Sequence, residues 1–166
     1  MTASKYLIII AGPTAVGKTD LAIQLAHQFN AEIISADSRQ YYKELSIGTA
    51  KPSLEDQKRI IHHFVDSLSI HDPYSIGQFE RDVLVKLEDR FIEMDTIIMT
   101  GGSGMHIRAI SHGLDEFPFV PTKVRDRIAM LFKQHGIQVL QELLQAKDPE
   151  YAQMVDMDNP HRLIRA

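Results

Sequence analysis

The sequence predicts an α/β protein: a P-loop NTPase-like parallel sheet with flanking helices, plus an incomplete helical subdomain. Three observations carry that expectation. Short β-branched apolar segments alternate with amphipathic helical patterns through the first two thirds of the chain. Gly12-x-x-x-x-Gly17-Lys18-Thr19 stands between the first strand and the first helix, the context a phosphate-cradling loop requires. Beyond Pro118 and Pro121 only helical periodicity follows.

The strands expected are 6–11, 32–36, 64–68 and 96–100, each rich in Ile, Val or Phe. Buried-type strands joined through helices read as a parallel sheet covered on both faces. Residues 18–29 place Leu21, Leu25 and Phe29 on one helical face. A short helix is expected over 54–61 and a long one over 76–94, where Phe79, Val83, Leu87 and Phe91 recur every four residues. Ser75 is its N-cap. Another helix, 103–111, follows the Gly101-Gly102 pair. The later helices read as 123–134, 137–147, 149–155 with Pro149 at its first position, and a last one from Pro160. The expected organisation is thus a core over 1–114, a partial helical insertion over 115–158, and the start of a further helix over 159–166. The chain ends in "NPHRLIRA" with no helix stop signal, which leads to the expectation of a truncated chain.

Composition narrows the class. The chain has 166 residues, a formal net charge of −4 and no cysteine, so neither a disulfide framework nor a thiolate metal site is available and a cytoplasmic protein is expected. No apolar run approaches the roughly 20 residues that span a bilayer. Acidic side chains outnumber basic ones over residues 1–100 and equal them over 101–166, so basic clusters for a polyanion belong to the later third. His62 and His63 are adjacent on a strand entry and face opposite ways, which excludes joint chelation of one ion. Met99, Met105, Met130, Met154 and Met157 are expected to fill core.

Within the loop Gly12, Pro13, Thr14, Ala15, Val16 and Gly17, the two glycines permit the torsions that turn the available N–H groups (Pro13 has none) toward one point, and the helix that follows adds a dipole favourable to anions. Lys18 supplies an ammonium to terminal phosphate oxygens, and Thr19 offers a hydroxyl to Mg²⁺. The loop specifies a diphosphate or longer, not its owner. The strand 96–100 offers no carboxylate at its end, whereas 32–36 ends in Asp37. Neighbouring strand ends share one ligand crevice, so Asp37 is either a Mg²⁺ partner or a general base for an incoming nucleophile. A small-molecule kinase with ATP in the loop and a non-catalytic RNA-binding module remain alternatives at this point.

The motifs "GPTAVGKT" (12–19), "ISADSRQYYKELSIGTAKP" (34–52), "HHFVD" (62–66), "GGSGMHIRAI" (101–110) and "NPHRLIRA" (159–166) appear in this order. On them the chain resembles the tRNA dimethylallyltransferase (tRNA isopentenyltransferase) family. The resemblance implies transfer of a dimethylallyl group from dimethylallyl diphosphate to the exocyclic N6 amine of the adenine next to the anticodon, with Mg²⁺ and release of diphosphate. It assigns proton acceptance to Asp37 and contact with the reacting diphosphate to Thr19. It places Asp37, Ser38, Arg39 and Gln40 against tRNA, together with His161, Arg162, Leu163, Ile164 and Arg165, and adds Ser103 and Arg125. The partners implied are an anticodon stem-loop and the prenyl donor, with the protein a monomer off the membrane. A cytokinin-type prenyltransferase acting on adenine nucleotides shares the loop and the Asp, but lacks the tRNA-type helix. Two departures stand out: His106 occupies a position where the family has Tyr, and family members are near twice this length.

Overall fold

A computed structural model describes residues 4–115 and 120–166, so the break expected at Pro118 lies outside the described residues. The chain divides into two compact units, Met1–Asp115 and Glu116–Ala166. The first holds β1 (Tyr6–Ala11), α1 (Lys18–Phe29), β2 (Ile33–Ser35), α2 (Leu54–Arg59), β3 (His62–His63), α3 (Ile76–Glu93), β4 (Thr96–Gly101) and α4 (Gly104–His112). All strand pairs are parallel, in the order β1-β4-β2-β3. β4 therefore separates β1 from β2, and the segments leaving those two strands face each other across the end of β4.

Each sheet face buries a different helix. On one, Ile33 and Ile98 pack on Ala22, Ile23 and Ala26 of α1. Of the expected face Leu21, Leu25 and Phe29, Leu25 packs against this cluster, whereas Leu21 and Phe29 are nearly half exposed. Ala22 and Ala26 are buried against the sheet, and their lack of bulk permits a close approach of the helix. On the other face Ile34, Ile97 and Met99 pack on Phe79, Val83 and Leu87 of α3, as the four-residue recurrence predicts. Fully buried aliphatic and aromatic side chains of this kind contribute about 1.5–3 kcal/mol each. The Ser75 hydroxyl caps α3 by accepting the Gln78 N–H.

The strand expected over 64–68 is not formed. Pairing with β2 is made by His62 and His63, after which Phe64 (φ 60°) and Asp66 (φ 49°) adopt left-handed backbone. Those torsions destroy the two-residue alternation a strand needs, and only an isolated bridge between Tyr42 and Leu68 follows. The Phe64 ring packs edge-on against Phe79 with centroids 5.5 Å apart.

The second unit is α5 (Thr122–His135), α6 (Ile137–Lys147), α7 (Pro149–Met154) and α8 (Pro160–Arg165), with no strand among its described residues. Leu140, Leu144 and Leu163 form its core. The helix expected from Pro160 is α8, and it packs on α5 and α6. Asp148 caps α7 through the Tyr151 N–H, with Pro149 in the first turn. Of the methionines expected in cores, Met99 is buried and Met157 packs on the helical core. Met105, Met130 and Met154 are exposed instead, because they fall on the outer faces of their helices.

Candidate functional site

The apolar run of β1 ends at Ala11 and the chain turns through residues 12–17, with Ala15 (φ 66°) and Gly17 (φ 85°) in left-handed backbone. α1 then starts at Lys18 with no side-chain cap on its first N–H groups, which leaves those donors for an anion. The Lys18 ammonium lies back on its own loop, donating to the Pro13 carbonyl at 2.5 Å.

Across β4, β2 leads into Asp37. Its Oδ1 accepts the Arg39 N–H at 3.0 Å, a turn contact and not a helix cap. The Ser38 N–H donates to the Ser103 hydroxyl at 2.9 Å, and the Ser103 N–H donates to the Ala36 carbonyl at 3.2 Å. Ser103 stands at the N-cap of α4, yet its hydroxyl caps no amide of that helix. It ties β4's exit to β2's exit instead. Gly102 lies where these exits meet the phosphate loop. A Cβ placed on it would be 3.9 Å from both Asp37 Oδ2 and Thr14 Oγ1, and 3.7 Å from the Gly12 carbonyl oxygen.

These segments enclose a cavity of about 370 Å³. Thr14, Ala15, Gly17, Lys18 and Thr19 line it from the loop side, and Asp37 and Gln40 from the exit of β2. Its floor is the α1-facing side of the sheet: Ile33, Ser35 and Thr100, with His62 at the far end. Strand register puts these four on one face, since His62 pairs with Ile33 and Thr100 with Ser35. Ala50 and Pro52 complete the wall.

Of the sequence candidates, Thr19 and Asp37 thus share one cavity with Gln40, and Ser38 and Arg39 are exposed beside it. Pro13 and Val16 are exposed on the loop. The Gln40 amide is consumed internally, donating to the Thr49 and Ala50 carbonyls and accepting from the Ser35 hydroxyl. In the second unit Arg125, His161, Arg162 and Arg165 are exposed. Leu163 is 5% exposed and Ile164 packs on the same core, so the Leu163 side chain serves the helical fold and not a surface.

Sequence reasoning missed the polar floor. Among the described residues, two buried side-chain polar atoms have no partner, His62 Nε2 and Thr100 Oγ1, and both residues line this cavity. His62 Nδ1 lies 2.8 Å from the Ile60 carbonyl oxygen. A carbonyl only accepts, so Nδ1 carries the proton and Nε2 is a bare acceptor. Only strand order reveals this floor; His63, one residue on, turns away to Glu32 at 2.6 Å. His106 is buried against Tyr41 and Phe79, its Nε2 2.5 Å from the Tyr41 hydroxyl.

Burial lowers the pKa of both His62 and His106 from the ordinary 6.5, the Ile60 hydrogen bond opposing this at His62 and the Asp37 charge at His106. A histidine whose folded pKa is depressed binds fewer protons folded than unfolded. Its stabilisation is complete above about pH 6.5 and is lost as pH falls from there through the lower folded value. Thermal unfolding midpoints are therefore expected to drop between pH 7.5 and 5.5, and His106→Phe should flatten part of that slope. An unchanged slope in the variant would exclude His106 as a contributor.

Comparison with known proteins bears on all of this. Residues 40–166 match the family model described as IPP transferase. The tRNA dimethylallyltransferase of Christiangramia forsetii is 49% identical over 163 residues, covering 98% of this chain and 54% of that protein. The one from Flavobacterium johnsoniae is 46% identical over 159 residues, covering 96% and 52%. The chain spans about half the length of the curated relatives it matches. Among solved structures, a eukaryotic dimethylallyltransferase acting on tRNA superposes with a TM-score of 0.82 at 28% identity, over 98% of this chain and 40% of that one. The full-length tRNA isopentenylpyrophosphate transferase of Bacillus halodurans gives 0.66 at 29% identity, over 98% and 54%.

Proposed function

The chain belongs to the IPP transferase family, and from that premise we propose that loop 12–19 holds the diphosphate of dimethylallyl diphosphate and that the dimethylallyl group passes to the N6 amine of an adenine beside a tRNA anticodon. The observation that carries this reading is the convergence of the phosphate loop and Asp37 on one cavity across Gly102. The allylic carbon–oxygen bond breaks as the carbon–nitrogen bond forms. Negative charge then grows on the departing diphosphate, where the uncapped N–H groups of α1, the Lys18 ammonium and the Thr19 hydroxyl stabilise it. The adenine amine is a weak nucleophile because its lone pair is delocalised into the ring. Asp37 Oδ2, the oxygen not taken by Arg39, accepts its proton. Extruding the base costs least in a single-stranded loop, which suits an anticodon loop.

The donor chemistry here suits a hard cation: a Thr19 hydroxyl and an Asp37 carboxylate line the cavity, and the buried Thr100 hydroxyl lacks a partner. Among the described residues no group of three or more His, Cys, Asp or Glu could hold a metal ion; Mg²⁺ is in general bound by one or two protein ligands together with substrate phosphates. Thr19 would hold it, and its charge would add to the stabilisation of the leaving diphosphate. For tRNA we assign Asp37–Gln40 and Ser103 beside the cavity, and Arg125 with the exposed His161, Arg162 and Arg165 in the helical unit. No helix among the described residues is long and apolar enough to cross a membrane, and the reading carries with it a monomer working in the cytoplasm, where tRNA resides.

Calorimetric titration with Mg²⁺ against dimethylallyl diphosphate and, separately, ATP tests the donor. Preference for the prenyl diphosphate is expected. Lys18→Ala should weaken it roughly 10- to 100-fold, the loss of a charge-assisted hydrogen bond worth about 1.5–3 kcal/mol. Tight ATP binding without response to the prenyl donor would replace this reading with a kinase.

A further inference from the structure

Lys51 touches none of the cavity, although both its neighbours do. Away from the phosphate loop the apolar lining consists of Ile33 on the sheet and Ala50 and Pro52 on the loop that follows Gln40. We propose that Lys51 is a positioning residue that fixes this apolar wall, against which the prenyl part of the donor rests. The proposal rests on the diphosphate reading above.

The Lys51 side chain leads away from the cavity and is only 9% exposed. Its ammonium donates to the Tyr42 carbonyl at 2.6 Å and to Asp66 Oδ1 at 2.6 Å. One bond fixes the loop to the segment that precedes it and the other to the chain beyond β3. Removing the ammonium unties both ends: the Tyr42 carbonyl keeps only the Leu45 N–H at 3.2 Å, and the Asp66 carboxylate, 39% exposed, turns to solvent. The wall depends on this because Ala50 is held in left-handed backbone (φ 48°), a conformation a non-glycine residue keeps only when its surroundings enforce it. On its N-terminal side the enforcement comes from Gln40, anchored to Ser35 of the sheet and holding the Thr49 and Ala50 carbonyls. On its C-terminal side it comes from Lys51. The stretch 48–52 thereby acquires a role that requires none of its polar side chains to meet a ligand.

Inorganic pyrophosphate engages only the loop, whereas a non-cleavable dimethylallyl thiodiphosphate also needs the wall, so the two ligands separate the functions. Calorimetry on this chain with Mg²⁺ is expected to show unchanged pyrophosphate affinity in Lys51→Met. The prenyl analogue should bind about ten-fold more weakly, the equivalent of losing burial of one or two methyl groups. Lys51→Arg should recover part of that loss, a rescue that a merely structural lysine on a rigid loop would not produce selectively for one ligand. If Lys51→Met does not fold, Asp66→Asn, which keeps the bond to the Tyr42 carbonyl, carries the same comparison. Equal losses for both ligands, or none for either, overturn the role of Lys51. A wild-type chain that binds pyrophosphate and the prenyl analogue equally well overturns the donor reading itself, whatever the variants do.

Discussion

Replacing Asp37 by asparagine is expected to slow dimethylallyl transfer roughly 10²- to 10⁴-fold, the usual loss for a removed general base, with donor affinity unchanged. The substitution is suited to the site because asparagine keeps the oxygen that accepts the Arg39 N–H. The turn therefore survives, and with it the Ser38–Ser103 contact that joins the two strand exits. What changes is the other end of the side chain. With its oxygen committed to Arg39, the amide turns its NH₂ group toward Gly102 and the cavity, where Asp37 offers a second carboxylate oxygen. A donor then faces the adenine amine, which itself must lose a proton. The measurement is single-turnover transfer to an anticodon stem-loop by a chain spanning the relatives' full length, paired with donor titration of the present chain. A rate within a few-fold of wild type would remove Asp37 from the chemistry. A parallel loss of donor affinity would instead make it a partner of the bound diphosphate.

The parts of this protein legible in the sequence are those decided locally. β1 and α1 have the bounds expected of them, because an uninterrupted YLIIIA run meets a glycine and a loop motif that opens a helix. The position of Asp37 is legible for the same reason, as the acid at the end of a short apolar run. The misread segment 64–68 has strand composition, but Phe64 is drawn onto Phe79 and Asp66 onto Lys51. Both partners are distant in sequence, and the left-handed torsions follow from meeting them. The buried face of α1 was hidden by size: Leu21 and Phe29 look like core, yet Ala22 and Ala26 permit the closer approach. The cavity floor was invisible for a third reason. Ser35, Thr100 and His62 form one surface only because β4 inserts between β1 and β2 while β3 flanks β2, and no local signal states that order.

The same strand order makes Gly101 the position least tolerant of a side chain, and Gly101→Ala is expected to destabilise the chain by about 3 kcal/mol or more. A Cβ there would lie 2.2 Å from the Ala36 carbonyl oxygen, 2.4 Å from its carbon and 2.9 Å from its Cα. All three are backbone atoms, so no side-chain rotation relieves the contact. β4 cannot retreat, because Gly101 is in register with Ala11 of β1 on its other side. β2 is held in turn by the Ala36 N–H donating to the Thr100 carbonyl at 2.8 Å. Relief requires parting the ends of β2 and β4, which displaces Asp37 from the phosphate loop. The thermal unfolding midpoint should fall by roughly 10 °C, given about 2–4 °C per kcal/mol at this size, and diphosphate affinity should fall with it even below the transition. Gly104→Ala is the control: a Cβ there meets nothing within 4 Å and sits at the start of α4, so stability should hold or rise slightly. A Gly101→Ala chain as stable as the Gly104→Ala control would mean that the two strand ends are not held at this separation, and the site that depends on it would need a different geometry.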